Sequence, residues 1–304
     1  MKQFLRVVVF EGVQNLPIFV GQERGFFSEV GIDVDLTFTP NSWSLRDGLA
    51  NGTFDFAHTA VDNAIAMVEM AKQDVAIVMG GDNGFNHLFL QPDLKTFEDL
   101  RNRVVLVDAP DTAFALVLYG ILEKHGLSKG DYRVESVGAT PLRLKRMRED
   151  RSAAASIMNL PFVALAKRAG LRLQCHAIDE IGPYLSTTGF VMRQWARAHS
   201  ELVTNYIRGY VAGLRWANDP ENRDAAIETL ARRLSLSHEI AAECYSMAVA
   251  SGGGLAVDAH LDIEGLIGTL NVRALNSKAE NLEARNPAQY LDLSYHAAAL
   301  DSLV

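Results

Sequence analysis

The sequence predicts a two-lobed α/β protein, each lobe a mostly parallel sheet flanked by helices. Three observations carry this. Short apolar runs alternate with amphipathic stretches from Phe4 to Met79, the alternation restarts at Leu88 and runs to Ala177, and from Trp195 onward the pattern is helical. Strands separated by helices imply crossover connections and parallel pairing. The helical tail has no sheet of its own, so it is expected to return to the first one.

In order along the chain, Phe4–Phe10 is an apolar run suited to a strand buried on both faces. Leu16–Phe27 reads as a helix with Pro17 in its first turn. Ile32–Phe38 alternates with period two, as a strand should. Ser42 is read as the cap of a helix that Gly52 stops, and Phe54–Ala57 and Val75–Met79 are strands around a helix from Asp62 to Ala71.

In the second unit, Leu88–Leu90, Val104–Val107, Tyr132–Val137, Ala153–Met158 and Leu171–Ala177 read as strands. The helices between them are a short turn opened by Thr96 with Asp99, an amphipathic stretch closed by Gly126, one begun at Thr140-Pro141, and Pro161–Ala169. The tail carries an apolar stripe on Val203, Tyr206, Ile207, Tyr210, Val211 and Leu214, then helical patterns over Arg223–Leu234, His238–Val249, Ile263–Asn276 and Ala288–Leu300. Gly209 and Gly213 in that stripe predict close helix packing, and Gly252-Gly253-Gly254 a turn. The expected division is residues 1–83 with 188–304 as one lobe and 84–187 as the other, with a hinge near 80–88 and 184–190.

A length of 304 residues, 48% hydrophobic and 22% charged, is enough for a core in each lobe. The net charge of −8 and the absence of a basic run argue against nucleic acid as a partner. Arg143, Lys145, Arg146, Arg148 and Arg151 form the densest basic stretch and fit the solvated face of a helix. Cys175 and Cys244 give neither a disulfide framework nor metal spacing, and the eight histidines are scattered, so no metal and no cofactor are expected. No stretch reaches the roughly 18 apolar residues of a membrane span, so no membrane insertion is expected. Met1-Lys2-Gln3 runs directly into the first strand without a small-residue cleavage site. That predicts a periplasmic protein if a signal was removed, and a cytoplasmic one if Met1 is the native start.

Several strings then stand in a family's order. They are Leu16-Pro17, Gly25-Phe26-Phe27, Val30-Gly31-Ile32 with Val34, Leu49-Ala50-Asn51-Gly52 and Phe54-Asp55. Leu94, Glu98-Asp99-Leu100, Val104–Val107, Gly126-Leu127, and Tyr290-Leu291-Asp292 with Tyr295 continue the series. The chain resembles the nitrate/sulfonate/taurine and pyrimidine-precursor group of ABC-transporter solute-binding proteins. The resemblance implies the periplasmic-binding-protein type II fold, a small molecule held between the lobes, and an ABC permease as partner. Some enzymes share that fold, using a cleft cysteine or a histidine with a cysteine-rich loop. Neither cysteine here falls in a loop expected at the cleft.

In open α/β sheets, ligands sit beyond the carboxyl ends of the strands. That rule selects Gln14 and Asn15 after the first strand, Asn41, Ser42 and Trp43 after the second, and His58 and Thr59 after the third. It adds Asp111, Thr112, Ala113, Gly138, Asn159 and Phe162 in the second unit. The free N–H groups of the helix starting at Asp111-Thr112-Ala113 suit an anion, whereas an acidic cap there would repel one. His58, expected at the cleft mouth, is assigned to binding rather than to turnover, since no cleft loop supplies a nucleophile beside it. No catalytic residue is assigned. The reading is a solute-binding protein that closes on a small organic anion or heteroaromatic molecule for ABC-type import. The alternative is a cofactor-free cytoplasmic enzyme, decarboxylase-like or pyrimidine-biosynthesis-like, or a sensor on the same fold.

Overall fold

A computed structural model describes residues 2–84, 86–250, 254–276 and 286–303. Phe85, within the expected hinge, and Gly252 and Gly253 lie outside the described residues. The strands are β1 (Gln3–Val9), β2 (Ile32–Phe38), β3 (Phe56–Ala60), β4 (Val75–Asp82), β5 (His87–Leu90), β6 (Val104–Val107), β7 (Arg133–Ser136), β8 (Ala153–Met158), β9 (Arg172–His176) and β10 (Thr187–Met192). They form two five-stranded sheets, ordered β2-β1-β3-β10-β4 and β7-β6-β8-β5-β9.

The two sheets have one plan. In each, four strands run parallel, and the strand that has just arrived from the other sheet is inserted antiparallel between the third and fourth. β10 pairs antiparallel with both β3 and β4, and β5 with both β8 and β9. The chain therefore crosses between sheets twice, from β4 to β5 and from β9 to β10. Both crossings carry a glycine at positive φ, Gly84 at 95° and Gly182 at 81°, a backbone region costly for other residues.

The helices are α1 (Leu16–Arg24), α2 (Phe26–Glu29), α3 (Ser42–Ala50), α4 (Val61–Glu69), α5 (Ala113–Lys124), α6 (Thr140–Glu149), α7 (Phe162–Arg168), α8 (Ala177–Ile181), α9 (Arg193–Ala198), α10 (Ser200–Asn218), α11 (Arg223–Arg233), α12 (His238–Ala248), α13 (Ile263–Asn276) and α14 (Ser294–Asp301). The apolar stripe of α10 is buried along its length. A Cβ at Gly213 would stand 2.3 Å from the Pro17 carbonyl oxygen, so the missing side chain lets α10 lie directly against α1.

Some boundaries differ from the sequence reading for local reasons. The helix expected over Leu16–Phe27 breaks at Gly25, whose φ of 86° ends α1 in a left-handed cap. The cap of α3 is Asn41, whose Oδ1 accepts from the Ser44 N–H at 2.8 Å, and Ser42 is the first helical residue. Thr140 opens α6 with no side-chain cap bond. The expected helix Ala288–Leu300 is a 3-10 turn, Pro287–Tyr290, followed by α14. No helix among the described residues is long and apolar enough to cross a membrane.

Candidate functional site

Between the two sheets lies a cavity of about 50 Å³, bounded by the carboxyl ends of strands from both. Phe10 and Gln14 follow β1, Ser42 opens α3, Thr59 and Ala60 end β3, Asn63 lies on α4, and Asp82 ends β4. The opposite wall is Asp108, Thr112, Ala113 and Phe114 after β6, Ala139, Thr140 and Arg143 around the start of α6, and Asn159 after β8. Asn86, Ser186 and Thr187, all in or beside the two crossings, complete it. This is where strand direction places a ligand site in an open α/β sheet.

Contacts across the cleft hold the walls together. The Ser42 N–H donates to Asp108 Oδ2 at 3.1 Å, the Ala139 N–H to the Pro40 carbonyl at 3.0 Å, and the Val13 N–H to the Leu160 carbonyl at 3.2 Å. At the rim, Arg46 Nη1 and Trp43 Nε1 donate to the two carboxylate oxygens of Asp111 at 3.2 and 3.3 Å.

Six of the residues selected from the sequence line the cavity: Gln14, Ser42, Thr59, Thr112, Ala113 and Asn159. The others are placed elsewhere. Asn15 is buried behind the first loop and donates to the Phe10 carbonyl at 2.8 Å. Asn41 is spent on its cap. Trp43 is half exposed at the rim, where Asp111 also turns outward. Gly138 faces Pro40 across the cleft, and Phe162 is in the core on α7.

His58 is the largest correction. β3 runs to Ala60, so His58 lies inside the strand rather than after it, and successive strand residues point to opposite faces. Thr59 therefore takes the cavity side. His58 is fully buried on the other face, stacked on Tyr210 at 4.6 Å between ring centroids, with Nδ1 3.2 Å from the Tyr206 hydroxyl. Burial lowers its pKa to about 3, so it is a neutral core residue.

Arg143 also departs from expectation. It is not on a solvated face but 1% exposed, and lines the cavity. Its Nε donates to the Gly138 carbonyl, Nη1 to Ser156 Oγ and the Ile157 carbonyl, and Nη2 to Thr140 Oγ1, all between 2.7 and 3.0 Å. Burial lowers its pKa to about 10, opposed by the charge of Asp108. Asp82 is 1% exposed, and burial raises its pKa, offset in part by the Thr187 hydroxyl, the Gly84 N–H and the Ser186 hydroxyl. Neither Asp82 nor Asp108 is among the residues selected from the sequence. Arg143, hidden in a charge run, gave no signal.

The family model described as NMT1/THI5 like matches residues 13–223. The chain belongs to the NMT1/THI5-like family. No curated protein sequence matches it. Among solved structures, a protein from Bordetella bronchiseptica RB50 superposes with a TM-score of 0.86 at 18% identity, covering 99% of this chain and 98% of that one. The periplasmic nitrate-binding protein NrtA from Synechocystis PCC 6803 gives 0.81 at 12% identity, covering 99% and 89%. The alkanesulfonate-binding protein SsuA from Xanthomonas axonopodis pv. citri, bound to MOPS, gives 0.73 at 16% identity, covering 91% and 95%. At such identities the likeness establishes the fold, which is the periplasmic-binding-protein fold.

Proposed function

We propose that this NMT1/THI5-like protein is a solute-binding receptor that closes its two lobes on a small heteroaromatic molecule and delivers it to an ABC-type permease. The lobes are residues 1–83 with 188–304, and 84–187, and the hinge is the pair of crossings. The observation that carries the reading is the cavity itself. Both sheets and both crossings contribute to its wall, so a molecule inside bridges the halves and stabilises closure. Phe10 and Phe114 supply the apolar faces on which a ring rests, with polar groups placed around them. The nitrate-binding and alkanesulfonate-binding proteins of the same fold support the class of function.

The size of the cavity sets a condition. A cavity of about 150 Å³ is known to hold benzene, three times the space here. A ring enters when the lobes part slightly from this closure, which a two-crossing hinge permits. A thermal-shift screen of small heteroaromatic molecules, followed by calorimetry and small-angle scattering, tests the reading. A stabilising compound that binds one-to-one and reduces the radius of gyration supports it. Binding without contraction, unaffected by Phe114→Ala, contradicts it.

A further inference from the structure

We infer that the ligand of this cavity is a compact monocation rich in N–H donors, an amidinium or a protonated amino-heteroaromatic, held between Asp82 of one sheet and Asp108 of the other. This rests on the receptor reading above and deepens it by naming the charge and hydrogen-bonding class of the solute.

Unsatisfied acceptors gather on residues that line the cavity. Asp82 Oδ1 accepts from the Gly84 N–H at 2.9 Å and Asp108 Oδ2 from the Ser42 N–H at 3.1 Å. Asp108 Oδ1 has no protein partner, and Asp82 Oδ2 has none in hydrogen-bond geometry, only the Thr187 and Ser186 hydroxyls bearing on its carboxylate; both residues line the cavity. Two further oxygens share this condition, Asn86 Oδ1 and Asn159 Oδ1, on residues 4% and 8% exposed. The Asn159 amide is oriented by its Nδ2, which donates to the Leu160 carbonyl at 3.2 Å, so its oxygen is the atom left over. Among the described residues, one unpartnered buried donor on the wall, Asn63 Nδ2, stands against these four acceptors. A buried polar group without a partner is costly, so a molecule that satisfies this set must bring mainly donors.

Charge gives the same answer independently. Among the described residues, two carboxylates and the Arg143 guanidinium are the ionisable groups that line the cavity, which leaves one net negative charge when all are ionised. The guanidinium that would attract an anion is already committed through four hydrogen bonds to Gly138, Ser156, Ile157 and Thr140. An anion would meet two carboxylates in a poorly hydrated space. A monocation balances the site and bridges Asp82 and Asp108, so its binding draws the two sheets together.

Three planar ions and molecules of one shape test this: guanidinium, urea and nitrate, carrying charges of plus one, zero and minus one. Calorimetry at millimolar concentrations, well below denaturing levels, is run alongside 4-aminopyridine, protonated at neutral pH, and benzenesulfonate. We expect guanidinium and 4-aminopyridinium to bind, urea to bind at least about tenfold more weakly, and nitrate and benzenesulfonate not to bind, since a hydrogen bond to a charged partner contributes roughly 1.5–3 kcal/mol and 1.4 kcal/mol is a factor of ten. Asp82→Asn and Asp108→Asn, each nearly isosteric and checked for folding by thermal melt, should each weaken both cations by at least about tenfold while leaving urea within a few-fold. Nitrate or benzenesulfonate binding as tightly as its cationic counterpart, or cation affinity unchanged in both folded variants, overturns the inference. If only neutral or anionic solutes bind and contract the protein, the charge assignment falls and the receptor reading stands. If no solute binds in the cavity, both fall.

Discussion

Replacing Asp62 by alanine removes the carboxylate from a guanidinium buried where water cannot replace it. Arg273 on α13 is 0% exposed and Asp62 on α4 is 1% exposed. The pair is bidentate, Nε to Oδ1 at 2.5 Å and Nη2 to Oδ2 at 2.6 Å, and Nη2 also donates to the Asp111 carbonyl at 2.8 Å. Burial opposes the charge on Arg273, but Asp62 more than offsets it, and the pKa is raised. Breaking such a pair from one side costs about 3–5 kcal/mol, because the remaining charge keeps its desolvation penalty and loses its compensation. At roughly 2–4 °C per kcal/mol, Asp62→Ala should lower Tm by about 6–20 °C. The double variant Asp62→Leu with Arg273→Met should recover most of the loss, since buried pairs are often replaceable by apolar groups of similar size. Urea unfolding of Asp62→Leu, Arg273→Met, the double variant and the wild type gives the coupling energy. A single-variant loss below about 1 kcal/mol, or a double variant no better than Asp62→Ala, would refute the reasoning.

Other perturbations separate binding from stability. Asp82→Asn should stabilise the fold at neutral pH by about 1 kcal/mol, the usual gain from relieving a strained functional site. The folded pKa of Asp82 is raised, so its favourable contribution exists below the unfolded value near 4 and is lost as pH rises through the folded value. Wild type and variant should melt together at acid pH and separate, with the variant higher, as pH increases. Tyr210, whose own pKa is raised by burial and by the charge of Asp82, bears on this group from α10. His58→Ala should cost about 2–4 kcal/mol as a core truncation while changing solute affinity by less than about threefold, read by melting and calorimetry together. Asp111→Ala removes a half-exposed rim pair worth at most about 1 kcal/mol, so affinity should fall by no more than about fivefold, with a larger radius of gyration before solute is added.

The fold was legible because each strand announces itself by apolar runs and each helix by its stripe, and because the alternation visibly restarts at Leu88. The site was legible only as a set of loops. Which residue of a loop faces the cleft depends on the last register step of the strand before it. β3 runs on to Ala60 rather than ending at Ala57, and that alone keeps Thr59 at the cleft and turns His58 into the core. Polar loop residues were also weighed by type rather than by what they bond. Asn41 and Asp111 look available in sequence but are consumed by a cap and a rim pair, whereas Asp108 keeps an oxygen without a protein partner because the Ser42 N–H satisfies the other. Arg143 shows the reverse case: a charge in a basic helix, read as solvated, turns inward because the Gly138 and Ile157 carbonyls lie within its reach.

The most direct test of the receptor reading is a crystal structure with the solute that stabilises the protein most strongly in the screen. The account predicts density between the two sheets, in contact with Phe10 and Phe114 and within hydrogen-bond distance of Asp82 and Asp108. Density outside the cleft, for example in the groove formed by Tyr245, Leu255 and His260, with the inter-sheet cavity unchanged, would contradict it.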